Sequence, residues 1–313
     1  VRKQERETSE SIRENAEKAK SLNESIEEAQ KKLRGKQSLD WQDKAMIEDI
    51  LRQKQEMEKA LEALEKENKQ LNEQRDAFDQ QDERIREKTE QLQKLMEEVL
   101  DEETKKLFQE LEKLLKENAG AEQMQKMLDK IQRNEIDIEK ELDRIKELFN
   151  QLKLEARIDE AVNRLDESIK NQESLMQKTT EQEKQRGKEG NTELAEEQED
   201  IRKDLEEEKE DMEEIRELQK EAGEEDRELP SEKDFDEAGK EMKESEEKLK
   251  DGDEKKAGES QKKALQKMKQ MKSELQNMQQ SMEMEMDEQN LESLRQILHG
   301  MLKLSFDQEK TMK

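Results

Sequence analysis

The chain has 313 residues, of which 48% are charged and 28% are hydrophobic, and its formal net charge is −27. Because a globular domain usually carries roughly 45–50% apolar residues, this supply of apolar side chains excludes a compact sandwich, barrel or doubly wound α/β core. The chain has no Cys, which excludes disulfides and thiolate sites. Gly occurs nine times and Pro once, and this scarcity favours long helices over disorder.

Residues 1–100 have the pattern of an N-terminal coiled coil with a break near 35–40. Apolar residues in the first helix recur with a mean spacing of 3.5 residues, as in a coiled-coil seam. Gly35 supplies a C-terminal stop, and Asp40 followed by Asp43 can cap a second helix.

The second helix is predicted to run from Trp41 to near Leu100. Its middle carries only one apolar residue per heptad between Leu71 and Leu92, so this part is expected to flex. We expect Trp41, the only tryptophan, to pack as an anchor at the helix start rather than to bind a ligand.

Two further regions lie in the middle of the chain. Residues 101–178 have the broadest apolar stripe, about three positions per heptad, which is typical of a helical bundle. Residues 179–230 are predicted to hold an acidic helix and a linker, and within them residues 193–228 carry 19 acidic and 6 basic side chains. The linker is expected at 223–230, where the one Pro of the chain lies.

Residues 231–313 are predicted to form a Met-rich antiparallel helical hairpin followed by a short C-terminal helix from about Asn290. Ser231 with Asp234 resembles a capping box, and a turn at Gly252 is so short that the helices on either side must run antiparallel. The segment from Leu294 to Phe306 could lie on a membrane surface, but packing against the hairpin is the favoured interpretation.

The second helix of this hairpin has a regular seam and a basic surface. Its seam positions alternate in steps of four and three residues: Ala257, Gln261, Ala264, Met268, Met271, Leu275, Met278 and Met282. Core packing accounts for this pattern, since Met is a flexible filler. Alternatives are a groove for partner helices, with Met268, Met271, Leu275, Met278 and Met282 as the partner-binding residues, or a thioether site for Cu(I). The seven Lys of residues 254–272 are expected to face the acidic first helix of the same hairpin.

Four stretches carry a resemblance to a known family. They are 33–36 with 39–44 (LRGK, LDWQDK), 101–115 (DEETKKLFQELEKLL), 141–152 (ELDR with Leu148, Phe149 and Leu152), and 294–309 (LRQIL and LSFDQE). Together they resemble a bacterial family of large, membrane-anchored, Glu/Lys/Gln-rich coiled-coil envelope proteins catalogued as a domain of unknown function, some of them labelled ATPase. The resemblance implies a cell-envelope setting with the parent protein tethered to the inner membrane, and no catalytic residues. We read the chain, which begins at Val1 rather than Met, as a soluble piece of such a protein.

Catalytic and cofactor sites find no support in the residues. The phosphate-binding pattern G-x-x-x-x-G-K-[ST] is absent, and His299, the one histidine, cannot build a multi-His metal site and is read as a polar or turn residue. Lys262 stands where an EF-hand loop beginning at Asp251 would need Glu. The net charge disfavours nucleic acid. We therefore predict no catalytic, cofactor-binding or metal-binding residues, no cofactor and no small-molecule substrate.

The predicted fold class is all-α and elongated, with long helices in antiparallel coiled-coil or hairpin segments and no β-sheet. The favoured function is a structural scaffold or spacer that contacts protein partners through helix faces, with self-association as one option and membrane contact only through a segment outside this chain. One alternative is an adaptor or holdase-like module that uses the Met-rich hairpin. The other is an accessory arm of an ATPase whose nucleotide domain lies elsewhere.

Overall fold

The computed structural model describes the backbone of residues 2–78, 83–99, 102–185 and 192–312. It describes side chains within those ranges as far as residue 284, apart from 75–78, 83, 98, 102–103, 133–137 and 185. Over these residues the backbone is helical except at short turns, and no strand is present, which confirms the all-α prediction.

Contacts divide the chain into two compact units, Val1–Lys153 (unit 1) and Leu154–Lys313 (unit 2). Unit 1 contains α1 (Arg2–Leu33), α2 (Trp41–Phe78), α3 (Glu83–Val99), α4 (Glu102–Lys116) and the first half of α5 (Ala121–Gln185). The second half of α5 belongs to unit 2.

Unit 1 is built from antiparallel neighbours. Rising residue numbers on one helix pair with falling numbers on the next, both between α1 and α2 and between α1 and α5. Hydrogen bonds that join the helices include Ser11–Glu67 and Ser25–Gln53 between α1 and α2, Asn23–Glu139 and Gln132–Glu27 between α1 and α5, Asn68–Gln93 between α2 and α3, and Lys44–Asn118 between α2 and the turn after α4.

The turn between α1 and α2 confirms the predicted helix ends. Gly35 has a φ of 79°, a left-handed conformation that a residue with a Cβ adopts only with strain. Asp40 and Asp43 form a reciprocal cap: the Asp43 N–H donates to Asp40 Oδ1 (2.9 Å), and the Asp40 N–H donates to Asp43 Oδ2 (3.0 Å). Lys36 Nζ also donates to Asp43 Oδ1 (2.7 Å), so the buried carboxylate is fully engaged.

Unit 2 combines the second half of α5 with α6 (Thr192–Glu221), α7 (Glu232–Lys250) and α8 (Glu254–Met312). The predicted capping box at Ser231 and Asp234 is present, and so is the turn at Gly252, which has a φ of 72°. The segment 222–231 between α6 and α7 is non-helical, as the Pro and Gly content of the predicted linker indicated.

Side-chain contacts show that each of these four helices lies between two antiparallel neighbours, so that α8 returns to α5. This is the up-down-up-down arrangement of a four-helix bundle. The cross-links are Arg164–Asp211, Ser168–Glu208 and Lys178–Glu197 between α5 and α6, Lys209–Asp236 and Arg216–Glu232 between α6 and α7, Lys263–Glu241 and Lys267–Glu237 between α7 and α8, and Gln261–Thr179, Lys269–Glu173 and Gln279–Asp159 between α8 and α5.

Trp41 does not pack as the sequence suggested, because 76% of its surface is exposed. The buried stripe of α2 begins at Asp43 and continues through Ile47 and Ile50. Trp41 lies two residues before Asp43, about 200° around the helix axis, and therefore points away from the core. The prediction of an anchoring tryptophan was wrong.

The C-terminal part of the chain also differs from the prediction. The separate short helix expected from Asn290 is part of α8, which continues to Met312. No Gly or Pro lies between Gly258 and His299, and the Glu, Gln and Met residues there favour uninterrupted helix. His299 accordingly lies inside α8 rather than in a turn. The side chains of 294–306 lie outside the described residues.

The division between the two units falls between Lys153 and Leu154, inside α5. The predicted regions 1–100, 101–178, 179–230 and 231–313 stay a prediction. No turn residue marks this point, since helix-forming residues surround it. Of the weak stretch between Leu71 and Leu92, residues 79–82 lie outside the described residues, and helix is present on both sides of them.

Candidate functional site

The candidate partner-binding residues Met268, Met271, Leu275, Met278 and Met282 (the Met seam) come together on one face of α8. Helical spacing places them in a line, as predicted. All five are buried, and the most accessible of them, Met282, is only 5% exposed. They belong to one apolar core with side chains of α5, α6 and α7.

In this arrangement the Met seam is core packing. Phe235, Ala238 and Met242 of α7 belong to the same core, and within the described part of the chain the seam is covered. Binding of a partner helix to these residues stays a prediction, and it would require α8 to separate from its neighbours. Among the described residues, no group of three or more His, Cys, Asp or Glu side chains is placed to hold a metal ion.

Basic side chains of α8 flank the Met seam and pair with two neighbouring helices. Toward α7, Lys267 Nζ donates to Glu237 Oε2 (2.6 Å), and this hydrogen bond raises the pKa of the lysine. Toward α5, Lys269 Nζ donates to Glu173 Oε1 (2.6 Å). Hydrogen bonds from Lys170 and then Lys272 lower the pKa of Asp166 to about 2. The sequence predicted one acidic neighbour for this basic stretch, whereas the bundle supplies two.

The outer side of the α7–α8 pair holds a shallow groove of about 520 Å³. Charged and amide side chains line it, and four of them are already paired with each other as Lys263–Glu241 and Lys267–Glu237. The lining residues are Glu237, Lys240, Glu241, Lys263, Gln266, Lys267 and Gln270. A groove of this composition lacks the apolar surface that small-molecule pockets require.

Polar side chains also occupy the core of unit 2, and sequence reasoning missed most of them. Gln172 and Gln198 exchange two hydrogen bonds across α5 and α6, of 3.1 Å and 2.8 Å, and both are fully buried. Gln261 Nε2 donates to Thr179 Oγ1 (3.1 Å), which joins α8 to α5. These bonds satisfy polar groups that would otherwise oppose burial.

A signal for these residues was present in the sequence. The apolar residues of α6 leave gaps in their spacing, and Gln198, Glu208 and Gln219 fill those gaps with the same alternation of four and three residues. All three are buried. The run of acidic residues in α6 concealed this alternation, because most Glu side chains on the helix are exposed.

Glu208 brings a carboxyl into this polar core. Its Oε1 accepts a hydrogen bond from Ser168 Oγ (2.9 Å), and only 4% of the residue is exposed. Burial raises the pKa of Glu208 to about 7, against the lowering effects of the Ser168 hydrogen bond and the Arg164 charge. Asp204 and Asp211 raise it further by charge repulsion.

Comparison of the chain with protein-family models, with curated proteins and with solved structures gave no match. Over the part of the chain that the structure describes, no helix combines the length and the apolar character needed to cross a membrane. The geometry of the two units is therefore the basis for any functional conclusion.

Proposed function

We propose that this chain is a structural helical scaffold or spacer that contacts protein partners through its charged helix faces and performs no catalysis. The observation that carries the proposal is that each unit covers its apolar stripes with helices of the same chain. What faces outward along the described helices is mostly charged side chains, many of them in ion pairs such as Lys69–Glu65 and Lys126–Glu122. Such faces suit reversible, salt-sensitive contacts between proteins.

The setting we propose is the bacterial cell envelope, as part of a larger protein tethered to the inner membrane. This element of the proposal rests on the family resemblance of the stretches around Trp41, 101–115, 141–152 and 294–309. The exposure of Trp41, 76%, agrees with a contact role for one of these stretches. The large negative charge keeps the helical units apart from copies of themselves and from nucleic acid.

Scattering from the full chain gives the spacer proposal a direct test. A spacer needs reach, so small-angle X-ray scattering, with circular dichroism and a light-scattering mass, should report high helicity and a radius of gyration well above the roughly 20 Å of a compact protein of this length. A radius of gyration near that compact value would contradict the spacer role.

Binding of an apolar dye to the folded full chain distinguishes the adaptor or holdase alternative from the scaffold proposal. With the Met seam buried as in this structure, we expect no dye binding. Dye binding that is lost in Met268→Lys or Met271→Lys, with helicity retained, would favour the alternative instead. The matched control is Met284→Lys on the same helix, since Met284 is 63% exposed and should tolerate the charge.

A further inference from the structure

The carboxyl of Glu208 is placed in unit 2 where its charge has little to stabilise it. The residue occupies a seam position of α6 and is 4% exposed, and its one hydrogen bond in the structure comes from Ser168 Oγ at 2.9 Å. The second carboxyl oxygen, Oε2, is buried without a hydrogen-bond partner. A buried carboxylate normally needs several donors or a cation of its own, whereas a neutral carboxylic acid does not.

The charged groups around Glu208 do not compensate for an ionised carboxylate. On α5, Arg164 donates to Asp211 Oδ2 (2.6 Å) and to Glu160 Oε1 (2.7 Å), so two carboxylates already share its charge. On α6 itself, Asp204 and Asp211 lie about one turn away on either side and repel a negative charge.

The groups that act on the pKa of Glu208, apart from its burial, lie on α5 and α6. On α7, Asp236 accepts a hydrogen bond from Lys209 Nζ (2.6 Å), the residue that follows Glu208. On α8, Lys272 pairs with Asp166, two residues before Ser168. The core side chains that α7 and α8 contribute are apolar, among them Ala238 and Met271.

We propose that Glu208 makes unit 2 a pH-responsive bundle, in which protonation of its carboxyl holds α5 and α6 together and ionisation loosens them. Ser168 and Glu208 form the contact, and the unpartnered Oε2 is the atom at which the ionised form lacks a donor. The device goes beyond the scaffold role, because it gives the helical unit a tighter and a looser state within the neutral pH range.

The direction of the effect follows from proton linkage. The pKa of Glu208 rises from its ordinary value of 4.5 to about 7 on folding, so the folded state binds more protons than the unfolded state between those values. The contribution of Glu208 to stability is therefore fully present below about pH 4.5 and is lost as the pH rises through about 7. By contrast, carboxyls with a lowered pKa, such as Asp166, contribute above about pH 4 and do not change over this range.

The experiment is amide hydrogen exchange of the full chain from pH 5 to pH 8, corrected for the intrinsic exchange rate and read by peptide. We expect protection of α6 to fall by about 50- to 100-fold over this range in the wild-type chain. Peptides of α1 in unit 1 should change far less and provide the reference within the same molecule. Glu208→Gln keeps an oxygen that accepts from Ser168 and should make the α6 protection independent of pH within about threefold.

Two further variants keep the test decisive. Glu210→Gln removes the same charge from an exposed position on α6 and should retain the full pH dependence. Ser168→Ala removes the hydrogen bond that lowers the pKa of Glu208, and should move the midpoint of the loss to higher pH. A slope in Glu208→Gln equal to the wild-type slope, or an equal loss of slope in Glu210→Gln, would overturn the proposal.

Discussion

The two units have the same antiparallel helical design but fill their cores differently. Two buried phenylalanines, Phe108 and Phe149, lie in unit 1, and each is only 1% exposed. Among its described residues unit 2 has one buried phenylalanine, Phe235, and its core combines leucines and isoleucines with the Met seam, several alanines and hydrogen-bonded polar side chains such as Gln172 and Gln198. Large branched and aromatic side chains specify packing by shape, whereas Met adapts to the space available.

This difference suggests a division of roles within unit 2. Flexible thioethers fill volume without fixing the register of the helices, and the polar pairs supply that specificity. A hydrogen-bonded pair in a core is satisfied only when the helices have one offset, since a shift of one turn leaves both amides unpaired. Unit 1 also has a buried amide, Asn68, that hydrogen-bonds between helices, and its two fully buried phenylalanines add specification by shape.

The largest expected effect concerns the aromatic core of unit 1. Phe108→Ala removes a side chain that is 1% exposed and lies beneath Lys54, and it should lower the free energy of unfolding of unit 1 by about 3–5 kcal/mol. Peptide-resolved hydrogen exchange should show the loss in α2 and α4 but not in α6 and α7. A loss of equal size in α6 would contradict independent cores.

An intermediate effect is expected for the amide pair of unit 2. Gln172→Leu leaves Gln198 buried without a partner and should destabilise unit 2 by about 1–3 kcal/mol. The double variant Gln172→Leu with Gln198→Leu should recover most of that loss, because no buried amide remains. Denaturant unfolding measures the free energy of unfolding of the single and double variants. If the loss of free energy in the double variant equals the sum of the losses in the two single variants, the pair does not act as a unit.

The double variant also tests the role in register. If the amide pair fixes the offset between α5 and α6, its apolar replacement should retain stability but broaden the range of packings. The measurement is the dispersion of side-chain methyl resonances in unit 2, with those of unit 1 as the reference. If the dispersion of the methyl resonances is unchanged in the double variant, other contacts fix the register, such as Arg164–Asp211 (2.6 Å).

The smallest effect is expected within the Met seam. Met271→Leu conserves volume at a fully buried position and should change the free energy of unfolding by less than about 1.5 kcal/mol. The comparison variant is Leu22→Ala in unit 1, which removes three side-chain carbon atoms and should lower that free energy by about 2–5 kcal/mol. Thermal unfolding compares them. A large loss in Met271→Leu would show that the seam is as shape-specific as the core of unit 1.

Much of the local structure could be predicted from residue types alone. The stop at Gly35, the reciprocal cap at Asp40 and Asp43, and the capping box at Ser231 all depend on neighbours within a few residues, and the structure confirms them. The burial of the Met seam likewise follows from its helical spacing.

Other features could not be predicted, because they depend on which helices meet. Glu208 hydrogen-bonds to Ser168, which lies 40 residues earlier in the chain, and the residues near Glu208 in the sequence do not predict this contact. The prediction that Trp41 is buried was wrong for a related reason. Only the orientation of α2 in the core decides which side of its first turn is covered.

The sequence by itself therefore determined the all-α class, the helix ends at Gly35, Asp40 and Ser231, and the apolar part of the stripe that each helix buries, since these follow from backbone hydrogen bonding, capping and the 3.6-residue period. The tertiary structure alone decided that α8 packs between α7 and α5, that the division between units falls inside α5, and that Glu208 enters a core. The physical reason is that a helical stripe specifies burial but not its partner, and partner choice depends on contacts between residues far apart in the chain.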